Sequence, residues 1–107
     1  MSKTFILAGA SSAIARETAE MLKGRGHQVI GISTKSDHSA YDDFHTIDKY
    51  DFGKFPAIEG AIDGLVYFPG TINLKPFARL TEREFVTDFE INSLGAVAFV
   101  QAYLSNL

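Results

Sequence analysis

The chain has 107 residues and no cysteine, which leaves room for one domain and excludes disulfides, thiolate metal sites and cysteine nucleophiles. Hydrophobic residues make up 46% and charged residues 21%, so a packed core is expected and disorder is not. A net charge of −3 excludes the basic footprint of a nucleic-acid binder.

The apolar run Phe5-Ile6-Leu7-Ala8 near the start is too short for a membrane span or a secretory core, so a cytoplasmic protein without a membrane partner is expected. His27, His38 and His45 are scattered at spacings that suit no metal, and no metal site is assigned. Thr4–Ala8 reads as a strand buried on both faces. A turn of small residues follows, and then a helix over 13–23 with apolar positions at Ile14, Thr18, Met21 and Leu22. Gly24 and Gly26 stop it. Gln28–Ser33 reads as a second strand.

Residues 34–44 are polar and too few for a full crossover helix, with one turn possible over 39–44. A third strand is placed at 45–47 and a fourth at 62–68. Between them, Gly53 and Pro56 limit any helix over 51–59 to a short one. Residues 71–80 form a loop. Thr81-Glu82-Arg83-Glu84 has the capping-box form and opens the longest helix. Phe85, Phe89, Asn92, Ala96, Phe99 and Tyr103 recur on one helical face there. The alternation predicts an α/β fold: a doubly wound, Rossmann-like parallel sheet of four strands, apparently incomplete, with a long C-terminal helix.

The first strand–helix junction carries the chemical signal. Backbone N–H groups at a helix N-terminus, aided by the helix dipole, favour an anion such as a pyrophosphate. Gly9 and small neighbours permit close approach, and Ser11 and Ser12 add hydroxyl donors. The dinucleotide fingerprint has three glycines; here only Gly9 is present, with Ala13 and Ala15 in the other two places. The turn alone is equally compatible with an ordinary strand–helix connection. At the end of the second strand no acid stands at Ser33 or Thr34, and Ser33, Thr34 and Lys35 suit a 2′-phosphate, which favours NADP over NAD; a polar surface loop, or Asp37 swinging in as the acid of an NAD site, are the alternatives.

Taken together, the segments resemble the N-terminal half of the short-chain dehydrogenase/reductase family over nearly the whole length. Ala8-Gly9-Ala10-Ser11-Ser12-Ala13-Ile14-Ala15 is similar to the family's Thr-Gly-x-x-x-Gly-x-Gly turn. Phe68-Pro69-Gly70 stands where the family has Asn-Ala-Gly. The stretch from Pro76 to Phe85 is similar to the family's loop and helix start, and Ile91-Asn92-Ser93-Leu94-Gly95 resembles its Val-Asn-x-x-Gly segment.

The resemblance implies one dinucleotide-binding domain of which residues 1–107 are the N-terminal part. Its cofactor contacts would be Gly9, Ser11, Ser12, Ala13, Ile14, Ser33, Thr34, Lys35, Asp48 at the adenine, Phe68, Pro69 and Gly70. It implies that Asn92 disrupts its helix and holds a water in a proton relay; by spacing alone Asn92 is a polar core residue that fixes packing.

The implied activity is NAD(P)-dependent hydride transfer to or from a carbonyl or secondary alcohol, in a homo-oligomer joined through the long helix. The family's catalytic Ser and Tyr-x-x-x-Lys follow the Asn helix. Neither is expected in this chain, which reads as a fragment of a longer enzyme with an open sheet edge beside its fourth strand. The alternative is a non-catalytic nucleotide-binding regulatory or interaction domain.

Overall fold

The computed structural model describes residues 2–36, 40–71 and 74–107. Four strands, β1 (Thr4–Ala8), β2 (Gln28–Ser33), β3 (Asp43–Thr46) and β4 (Gly64–Tyr67), form one parallel sheet in the order β3-β2-β1-β4. Among the described residues β4 is an edge, as the sequence predicts. The central strand β1 alternates between two cores: Ile6 and Ala8 face one, Leu7 and Phe5 the other. Both faces being covered explains why its sequence is an unbroken apolar run.

Helix α1 (Ala13–Gly24) covers one face. It ends in a Schellman geometry: the amides of Gly26 (φ +85°) and His27 return to the carbonyls of Lys23 and Leu22 at 2.9 and 3.1 Å. The apolar positions read from the sequence form its inner face only in part, through Leu22. Ala15, Ala19 and Leu22 pack on the sheet, whereas Ile14 (69% exposed) and Met21 point to solvent.

Strand β3 begins two residues earlier than the sequence suggests. The Asp42 carboxylate accepts from the Val29 amide at 2.8 Å and the Asp42 amide donates to the Val29 carbonyl at 3.0 Å, so pairing with β2 starts upstream of His45. The predicted turn over 39–44 fails at its end, where Asp43 and Phe44 are strand; Ser39 lies outside the described residues. Residues 51–59 form turns rather than a helix.

The long helix is one continuous run in three parts. Helix α2 (Glu82–Phe89) leads into a π-turn at Glu90–Leu94, and α3 (Gly95–Tyr103) completes it before a closing 3₁₀ turn at Leu104–Asn106. Thr81 and Glu84 form the predicted capping box: Thr81 Oγ1 accepts from the Glu84 amide at 3.3 Å and donates to Glu84 Oε1 at 3.2 Å.

Only the second half of the predicted apolar face is buried. Phe99 and Tyr103 enter the core with Ile6, Ile32, Ile47 and Ile62, while Phe85 and Phe89 (57% exposed) stay outside. Helix α2 projects past the sheet, and the molecule measures 52 × 27 × 20 Å. The loop before β4 is tied to the helix end. Tyr103 Oη donates to the Pro56 carbonyl at 2.7 Å, and Asn106 Nδ2 donates to Ile58 and Gly60 at 2.7 and 2.9 Å.

This division of the helix gives a direct expectation. Phe99→Ala costs about 3–5 kcal/mol, as large-to-small core changes do. Phe89→Ala stays within about 0.5 kcal/mol, as for an exposed site. Urea unfolding of the two variants measures the contrast.

Candidate functional site: a cleft at the strand ends

A cleft of about 1170 Å³ opens where the C-terminal ends of all four strands converge. It is larger than the roughly 300–1,000 Å³ of ordinary small-molecule pockets. Gly9, Ser11 and Ser12 reach it after β1, Thr34 and Lys35 after β2, Lys49 to Phe52 after β3, and Phe68 to Thr71 after β4. Phe85, Val86, Phe89, Glu90, Ile91 and Leu94 of the long helix close the far side. In open α/β sheets this crevice is where ligands bind.

Gly9 is the pivot of the site. Its φ is +77°, in the left-handed region, and a side-chain carbon there would stand 2.9 Å from Pro69 Cδ and 3.1 Å from Phe68 Cβ. Glycine therefore lets the ends of β1 and β4 touch. The Gly9 and Ala10 amides both donate to the Ile32 carbonyl, at 2.9 and 3.1 Å. That fastens the turn to β2 and leaves anion binding to the first turn of α1 and to hydroxyls. Ser12 is the N-cap and accepts from the Ala15 amide at 3.2 Å.

The other predicted residues divide into three groups. Thr34, Lys35, Phe68, Pro69 and Gly70 line the cleft. Ser33 is beneath it, 1% exposed, with Oγ 2.9 Å from Ser11 Oγ and accepting from the Lys35 amide at 3.1 Å. It is a strut that joins the glycine turn to the loop after β2. Ala13, Ile14 and Asp48 are exposed and do not line the cleft; the four residues after Asp48 do. Asp37 and His38 lie outside the described residues.

Asn92 sits within the π-turn, so the helix is locally disrupted at this residue as the resemblance implies. Its side chain is committed to the backbone after β4: Oδ1 accepts from the Thr71 amide at 2.8 Å and Nδ2 donates to the Thr71 carbonyl at 2.9 Å. A second bond reaches the same turn. Tyr67 Oη donates to the Ile91 carbonyl at 2.6 Å. This contact has no signal in the sequence, because a half-buried tyrosine at a strand end is ordinary.

Burial and the neighbouring Tyr50 push the Tyr67 hydroxyl up to about 12, and burial does the same for Tyr103. A Tyr-x-x-x-Lys spacing does occur, contrary to expectation, at Tyr50 and Lys54. That spacing puts both side chains on one face only in a helix. Here residues 51–53 turn through Gly53 (φ +75°), and Tyr50 lines the cleft without Lys54. Among the described residues no cluster of His, Asp and Glu suits a metal ion, and no helix is long and apolar enough to cross a membrane.

No protein-family model matches the chain, and no curated protein does. Solved structures do. The chain is similar to a short-chain dehydrogenase family protein from Francisella tularensis with a TM-score of 0.85 at 18% identity, over 100% of this chain and 47% of that one. It is similar to the ligand-free aldohexose dehydrogenase of Thermoplasma acidophilum with a TM-score of 0.81 at 20% identity, over 98% and 44%. A short-chain dehydrogenase from Streptomyces avermitilis gives 0.75 at 25% identity, again over 98% and 44%. The chain spans less than half the length of each and has the short-chain dehydrogenase fold over that part.

Two outcomes follow from the site. Gly9→Ala costs about 1–2 kcal/mol from the left-handed backbone alone. The Pro69 contact adds to this, and thermal denaturation measures the sum. The second concerns alkaline pH. A folded-state pKa of about 12 lies above the ordinary 10.0, so the stability from the Tyr67 and Tyr103 hydroxyls is full below pH 10 and lost as pH rises toward 12. In a phenolate absorbance titration, these two tyrosines ionise together with loss of native structure.

Proposed function

We propose that residues 1–107 are the N-terminal, cofactor-holding part of a single dinucleotide-binding domain in an NAD(P)-dependent short-chain oxidoreductase, acting on a small carbonyl or secondary alcohol. The observation that carries this reading is the cleft itself: a glycine turn and helix N-terminus at one end, and the Asn92 π-turn at the other. The residues present fit a nicotinamide dinucleotide. The first turn of α1 with Ser11 and Ser12 holds the pyrophosphate, Gly9 keeps the approach open, and Phe68 to Gly70 border the path toward the reacting end. When bound, the nicotinamide supplies or accepts the hydride.

The protein's contribution is orientation and a proton path. Asn92 stands at the π-turn with its side chain fixed on Thr71, and in this reading it holds a water of the relay. Thr34 and Lys35 border the cleft where a 2′-phosphate is recognised, which favours NADP over NAD. Asp48, Ala13 and Ile14 keep the contacts proposed from the family pattern, through backbone or rim positions outside the cleft lining. The exposed Val97, Val100 and Leu104 form an apolar stripe on α3 and the turn after it, suited to a second copy in a cytoplasmic homo-oligomer.

A second reading is a nucleotide-binding or interaction domain without catalysis. It is favoured by the Gly9 and Ala10 amides, both spent on the Ile32 carbonyl, and by alanines at two fingerprint positions.

Calorimetric titration with NADP and NAD separates a cofactor-holding domain from an interaction domain. The proposal expects NADP to bind more tightly than NAD, and Lys35→Glu to weaken NADP by about tenfold, the effect of losing one charge-assisted contact. Binding of neither nucleotide overturns it in favour of an interaction domain.

A further inference from the structure

We infer that Tyr67 is the positioning residue of the Asn92 turn: its hydroxyl takes a helix carbonyl out of the ladder and so sets the face that Asn92 presents. In a regular α-helix the Gly95 amide would bond to the carbonyl four residues back, which is Ile91. In this chain the Gly95 amide bonds instead to Glu90, five residues back, and the Ile91 carbonyl accepts from Tyr67 Oη at 2.6 Å. The hydroxyl occupies the place of the missing ladder bond. Gly95 makes this possible, because a side-chain carbon there would collide with that hydroxyl.

The consequence falls on Asn92. The π-turn inserts one residue between α2 and α3. Removing the insertion would rotate the two parts relative to each other by about 100°, one residue's turn. Asn92 would then leave the Thr71 backbone, which it grips through both ends of its amide. A buried carbonyl without a partner is unfavourable, so loss of the hydroxyl favours return of the Gly95 amide to Ile91. The functional side of this inference rests on the proposed role of Asn92; the geometric side does not.

The test compares Tyr67→Phe with Tyr103→Phe, since Tyr103 also donates to a carbonyl, that of Pro56 at 2.7 Å. Two readouts are taken: the Asn92 side-chain amide signals by NMR and NADP affinity by calorimetry. Tyr67→Phe is expected to shift the Asn92 signals, speed their exchange and weaken NADP by about threefold to tenfold, the range of one lost hydrogen bond. Tyr103→Phe is expected to leave both unchanged.

Unmoved Asn92 signals in Tyr67→Phe overturn the inference, and so does an equal movement in Tyr103→Phe. If the unsubstituted chain binds no nucleotide, the proposed function fails and the Asn92 signals still decide the positioning role. If Tyr67→Phe does not fold, the unsubstituted chain decides it. There the Gly95 amide shows through-bond coupling to the Glu90 carbonyl, and coupling to Ile91 instead overturns the inference.

Discussion

The long helix approaches the sheet at a point where a side chain would not fit. Gly95 lies against the Tyr67 hydroxyl and 3.2 Å, measured from where a side-chain carbon would be, from the Tyr50 carbonyl. Three segments meet there: the loop after β3, the end of β4 and the helix. The aromatic cluster beyond it depends on that approach, with Tyr67 and Phe99 rings 6.0 Å apart and Phe99 and Tyr103 5.6 Å apart. The cleft depends on it too, because the same contact fixes how far the helix stands from the strand ends. A second glycine contact, Gly9 against Pro69, fixes the opposite wall. The site is thus framed by two close approaches of backbone, and its shape follows from packing rather than from charge.

Much of the architecture is legible in residue order. The runs Thr4–Ala8 and Gln28–Ser33 are apolar because both faces of a central parallel strand are covered, and both strands occur with those bounds. The capping box at Thr81 and the helix stop at Gly26 are local chemistry, and local chemistry survives folding. The inner face of α1 is legible only at Leu22, because Ile14 and Met21 are larger than Ala15 and Ala19, the residues the helix buries. Hydrophobicity ranks them first, and the fold buries the alanines instead. The start of β3 was set by one aspartate bonding to Val29, which no periodicity records.

The site shows the same division. Motif and spacing single out the glycine turn, Thr34, Lys35 and Phe68 to Gly70, and these residues line one cleft. Ser33 is singled out too, as a ligand donor, and in the fold its hydroxyl is buried with Ser11 and the Lys35 amide as partners. The steps from Phe85 to Tyr103 look like an unbroken α-helix, and one extra residue within them is invisible to counting by threes and fours. Tyr50 and Lys54 show the reverse case, a spacing with chemical meaning that lies on a turn.

The projection of α2 beyond the sheet gives the long helix two unequal halves. Residues of α3 have Ile6, Ile32 and Ile62 beneath them, whereas none of the eight residues of α2 is buried. Local opening therefore starts in α2 and stops at the π-turn, with free energies that rise along a single helix. Since Phe85, Val86 and Phe89 line the cleft, a molecule entering it is gripped on one side by the half of the helix that buries no residue. Part of its binding energy goes into stiffening that arm, and a second contact that stiffens the arm from outside raises affinity without touching the cleft.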